Sequence, residues 1–142
     1  MSACIFCQIA KGKVPCHKVW EDDLHLAFLS IFPNTEGVTV VIPKKHYPSY
    51  AFDLPDAVLT RLILAAKTVA LKIDNAFEDV GRTALVFEGF KVDHVYAKLF
   101  PKRGTFDAPP RKRLVPADPC LQRSTAVRLR TQGGRPHLKL IY

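Results

Sequence analysis

Three titratable side chains stand at alternate positions late in the chain: His94, Tyr96 and Lys98, separated by Val95 and Ala97. Successive side chains of a strand point to opposite faces. A strand here sends Val95, Ala97 and Leu99 one way, and an imidazole, a phenol and an ammonium the other. Those are groups that move protons or hold anionic charge. The same alternation also describes an ordinary solvated strand face. A second set of reactive residues is Cys4-x-x-Cys7, which has the spacing of half a tetrahedral zinc site. Two small buried thiols are the alternative reading of that pair.

The elements that must carry these residues are legible from patterning. Val19-Trp20-Glu21, Leu24 to Ile31 and Gly37 to Lys44 read as strands, the third most clearly because Val38-Thr39-Val40-Val41-Ile42 is dense in β-branched residues. Glu21-Asp22-Asp23 and Pro33-Asn34-Thr35-Glu36-Gly37 are turn-forming between them, which predicts an antiparallel meander. Asp53 is positioned to cap a helix whose first turn tolerates Pro55. Its apolar residues Val58, Leu62, Ala65, Val69, Ile73 and Phe77 recur at intervals of three and four, and such a stripe must be buried for the helix to be stable. Thr83 to Glu88 and Val92 to Phe100 read as two further strands about the turn Glu88-Gly89-Phe90. The predicted fold class is α+β: an antiparallel sheet of about five strands with one long helix packed on it.

At 142 residues, 48% hydrophobic, the chain can bury one core. Charge divides it. From Pro101 onward ten basic residues face only Asp107 and Asp118, so the whole net charge of +8 falls in the last 42 residues, with six of the 11 prolines. The expected organisation is a domain over residues 1–103 and a basic, Pro-containing, irregular tail over 104–142. Clustered cations also suit an anionic partner such as nucleic acid, through counterion release, although no aromatic or Gly-rich recognition module accompanies them. No run approaches the ~20 apolar residues of a membrane span, and Met1-Ser2-Ala3-Cys4 does not begin a signal peptide. The expectation is an intracellular, cytoplasmic protein without a membrane partner, whose four cysteines are thiols or metal ligands, not a disulfide framework.

Four segments in order, Cys4-Ile5-Phe6-Cys7-Gln8-Ile9, Ala27 to Pro33, Val41-Ile42-Pro43-Lys44-Lys45-His46 and His94-Val95-Tyr96-Ala97-Lys98-Leu99, resemble the histidine-triad (HIT) family of nucleotidyl hydrolases and transferases. The resemblance covers about Cys4 to Arg103. It implies an α+β domain, commonly a homodimer, that binds purine nucleoside monophosphates or related nucleotides. It implies nucleoside contacts at Ile5, Phe6, Ile9, Phe28, Ser30 and Ile31, and a catalytic triad at His94, Tyr96 and Lys98. It also implies a structural zinc held by Cys4, Cys7, His46 and His94, the arrangement some members complete.

The family's triad is His-x-His-x-His, and its middle imidazole attacks the α-phosphorus to give a covalent nucleotidyl-histidine. This chain has Tyr96 there and Lys98 at the third position. A phenol of pKa about 10 is less than ~1% ionised at neutral pH, so weak or absent activity is expected, a pseudoenzyme. A tyrosyl intermediate would need Lys98 to offset the developing phenolate. Ser30 stands where the family usually has an acid for the ribose hydroxyls, and Gly89-Phe90-Lys91-Val92-Asp93 replaces a Gly-Gln-Ser-type phosphate turn. The rival expectation is a non-catalytic dimeric scaffold whose basic tail binds a partner. The segment from Asp107 to Tyr142 has no counterpart in the resemblance, as an altered coding frame or variant splicing would produce. Cys16, His17, His25, Cys120 and His137 have no assigned partner.

Overall fold

The computed structural model describes residues 4–33, 35–103 and 119–131. Strands β1 (Lys18–Glu21), β2 (His25–Leu29) and β3 (Thr39–Pro43) form the expected antiparallel meander, and helix α2 runs over Asp56–Ala76. Strands β4 (Val80–Val86) and β5 (Ala97–Arg103) complete an antiparallel five-stranded sheet in the order β1-β2-β3-β5-β4. The α+β class and the sheet-plus-long-helix architecture are as the sequence predicts.

Leu62, Ala66, Val69 and Ile73 of α2 are fully buried against Ala27, Leu29, Val41, Ala97 and Leu99 on one face of the sheet. Each buried Leu, Ile or Val contributes about 1.5–3 kcal/mol relative to exposure, so this stripe is what fixes the helix on the sheet. The helix start differs from expectation. Asp53 lies in a 3-10 turn, Ala51–Asp53, and Pro55 occupies the cap position. A proline disfavours helical backbone in the residue before it; Leu54 is accordingly extended (φ −73°, ψ 145°), and the helix starts only at Asp56, whose carboxylate sits in the first turn.

The opposite face of the sheet buries Leu26, Phe28, Val40, Ile42 and Tyr96 beneath a second helix, α1 (Ile5–Ala10), which periodicity did not reveal. The register Phe28↔Val40↔Lys98 sets these three residues in one row across β2, β3 and β5.

Two strand expectations are corrected. β4 begins earlier and ends before Phe87, and β5 begins at Ala97, not Val92. The Val95 N–H donates to the Tyr47 carbonyl at 3.0 Å and the His94 N–H to Val92 at 2.9 Å, so this stretch bonds outside the sheet ladder. The two-sided alternation nevertheless persists, with Val95, Ala97 and Leu99 in the α2-side core and Tyr96 on the other face.

The expectation of an irregular tail is corrected for residues 119–131, which form helix α3 (Pro119–Thr131). Ala126 and Leu129 are buried in the α2-side core, and Thr125 Oγ1 donates to Glu36 Oε1 at 2.8 Å. Its apolar positions are few enough for basic composition to dominate the sequence reading. The remainder of the tail, 104–118 and 132–142, lies outside the described residues.

Candidate functional site

α1 and the face of the sheet it covers enclose a cavity of about 540 Å³, within the range of small-ligand sites. Phe6 forms one wall, packed edge-on against Phe28 (ring centroids 5.5 Å apart) and Tyr96 (5.4 Å). Ile5, Phe6, Ile9, Phe28, Ser30 and Ile31 all line this cavity, as do Tyr96 and Lys98. Cys16 and His17, which had no assigned partner, line it too. Ser30 is held from both sides. Its Oγ accepts from the Phe32 N–H at 3.3 Å and its carbonyl accepts from Gln122 of α3, so residues distant in sequence anchor the cavity rim.

The polar end of the cavity is not a solvated strand face. Tyr96 is 5% exposed, its hydroxyl donates to Glu88 Oε2 at 3.3 Å, and Lys98 Nζ lies 3.6 Å from the same oxygen. Glu88 follows from register. The ladder ends with Val86 paired to Lys98, and counting the same register two residues further, past the end of β4, sets residue 88 opposite residue 96. Burial first, then the Glu88 carboxylate and its hydrogen bond, push the Tyr96 phenol up to about 12. That is the direction opposite to nucleophile activation. Sequence reasoning missed Glu88, reading it as a turn residue; only the register of β4 on β5 reveals its partner.

His94 does not line the cavity. It is fully buried, with Nδ1 3.5 Å from both Cys4 Sγ and Cys7 Sγ, while His46 Nδ1 is 3.4 Å from Cys7 Sγ. One ligand atom from each of these four residues falls within 4.8 Å of all the others, and two sulfurs with two imidazole nitrogens are a zinc donor set. His94 Nε2 is 2.8 Å from the Pro43 carbonyl; donating its proton there leaves Nδ1 bare toward the thiols, the outer-shell arrangement that orients a metal-ligating imidazole. Burial also pushes the His94 pKa down, keeping the ring neutral. The residues therefore fit zinc. Such an ion would be closed by four protein ligands and would clamp α1 to the segments carrying His46 and His94, with no open position for water.

His25, also without a partner in the sequence reading, is buried with Nδ1 3.2 Å from Asp22 Oδ1. The Cys120 side chain and His137 lie outside what is described. Among the described residues no helix is long and apolar enough to cross a membrane.

The family model of the HIT domain matches residues 11–104. The chain belongs to the HIT family. Among its HIT relatives is an uncharacterized 16.1 kDa HIT-like protein of Mycoplasma pneumoniae, 40% identical over 106 residues, covering 72% of this chain and 73% of that one. The adenosine 5'-monophosphoramidase HNT1 of Saccharomyces cerevisiae is also 40% identical over 106 residues, covering 72% of this chain and 64% of the yeast protein. Among solved HIT folds, a Zn-bound histidine triad family protein from Mycobacterium smegmatis superimposes with a TM-score of 0.75 at 23% identity, over 90% of this chain and 91% of the other; that likeness speaks to the fold alone. Within this HIT domain, the triad positions divide between two sites: position 94 faces the thiols, whereas 96 and 98 face the cavity.

Proposed function

We propose that this HIT protein binds a purine nucleotide in the cavity under α1 and turns it over weakly or not at all. The carrying observation is Tyr96 at the position of the attacking histidine, buried, hydrogen-bonded to Glu88, and with its phenol pushed up to about 12. The apolar walls formed by Phe6, Phe28 and Ile31 suit a base and sugar, and the resemblance of the chain to an adenosine 5'-monophosphoramidase supports an adenine nucleotide. Zinc on Cys4, Cys7, His46 and His94 acts in this reading as a structural clamp. Pairing of two copies would use β4, an edge strand that exposes Leu85 and Val86.

The test is turnover of an adenosine phosphoramidate or dinucleoside polyphosphate by this chain beside its Tyr96→His variant. We expect only the variant to be active, gaining about 100-fold or more from an imidazole that is nucleophilic near pH 7. Equal turnover by both, or a trapped nucleotidyl-tyrosine, would sink the reading. Inactivity of both together with absent AMP binding would favour a scaffold role.

A further inference from the structure

Glu88 belongs to no assigned role, yet its carboxylate lines the cavity beside the two triad positions that face it. Oε2 accepts from Tyr96 at 3.3 Å and lies 3.6 Å from Lys98 Nζ. Lys98 is largely buried, its side chain 15% exposed, and its ammonium also lies 5.3 Å from the Phe100 ring centroid. Lys91 is the other cation lining the cavity, and it is solvent-exposed. The best-sheltered positive charge at the polar end is thus already engaged by a carboxylate.

We propose that Glu88 is a specificity-determining residue that selects against phosphate, so the cavity binds uncharged purine nucleosides more tightly than nucleoside monophosphates. The proposal rests on the reading of this cavity as a purine nucleotide site. A ligand whose 5′ end reaches Tyr96 brings that end within a few ångströms of the Glu88 carboxylate as well, because the two side chains are bonded to each other. A 5′-hydroxyl can donate to that carboxylate. A phosphate cannot, and it must compete with Glu88 for Lys98 in an apolar surround, where like charges repel more strongly than in water. The position of Glu88 is braced by the neighbouring Gly89, which adopts φ +71° with its backbone against the Ser49 carbonyl; a Cβ there would lie 3.0 Å from that oxygen.

The experiment is calorimetric titration of the full chain with adenosine and with AMP, repeated on Glu88→Gln, which keeps the shape and removes the charge. The wild type should bind adenosine about fivefold or more tighter than AMP, and Glu88→Gln should tighten AMP about tenfold while weakening adenosine by about threefold, because its 5′-hydroxyl then meets a neutral acceptor. A merely structural role would weaken both ligands instead. Adding Lys98→Met to Glu88→Gln should reverse the gain for AMP. Tighter AMP than adenosine in the wild type, or no gain for AMP in Glu88→Gln, would overturn the selectivity while leaving the nucleotide-site reading intact. Binding of neither ligand by either protein would remove the site reading, and the selectivity with it.

Discussion

Raising the pH through the Tyr96 phenol tests why little or no turnover is expected. The side chain is 5% exposed and its hydroxyl donates to a carboxylate that is itself hydrogen-bond acceptor and negative charge. Burial and Glu88 together move the phenol from its ordinary value near 10 to about 12. Two units leave about 100-fold less phenolate: about 1 in 30,000 at pH 7.5, against about 1 in 300 for an ordinary tyrosine. The linked stability has a definite sign. The unfolded chain releases this proton near pH 10 and the folded chain holds it, so stability is unaffected below ~10 and falls by about 3 kcal/mol as pH rises to ~12. Ultraviolet titration of phenolate absorbance, taken as the difference between the wild type and Tyr96→Phe, isolates this group from Tyr47, Tyr50 and Tyr142. The difference curve should inflect near 12, and Glu88→Gln should lower it without restoring 10, because burial remains the largest cause. An inflection at or below 10 would refute the account and reopen Tyr96 as a nucleophile.

Leu129→Ala, at a fully buried position of α3, should destabilise the chain by about 2–4 kcal/mol in urea denaturation; a change below ~0.5 kcal/mol would mean that α3 is not packed in the core. Protein purified without chelator should carry one zinc per chain, and Cys7→Ser should lose most of it. A zinc content well below one in the wild type, measured by atomic emission, would remove the metal assignment.

The helix α2 and the meander were readable because their burial is periodic: Leu62, Val69 and Ile73 recur at helical spacing, and Val38 to Ile42 form a β-branched run. α1 was not readable. It has six residues and no fully buried one, so it offers no period, and isolated helices of that length are marginal; its place depends on Phe6 packing and on the Cys4 and Cys7 cluster. α3 was hidden by the basic, Pro-containing stretch around it; among its described side chains the buried apolar ones are Ala126 and Leu129, beside the polar Gln122 and Thr125, which makes a weak apolar stripe. The helix cap was misplaced because Asp53 satisfies a capping preference, whereas the extended Leu54 imposed by Pro55 decides where the helix starts.

Periodicity carried the α+β class, because burial repeats with the element's own geometry, and the ordered segments carried the family resemblance, which in turn implied the cavity-lining residues and the four candidate zinc ligands. What surrounds those residues came from the packing of the folded chain. It separated His94, turned to the thiols, from Tyr96 and Lys98, turned to the cavity. It also brought Glu88 to Tyr96, through a strand register that no local pattern encodes. The pKa of a phenol is set by what is buried beside it, and that neighbour is chosen by the pairing of β4 with β5.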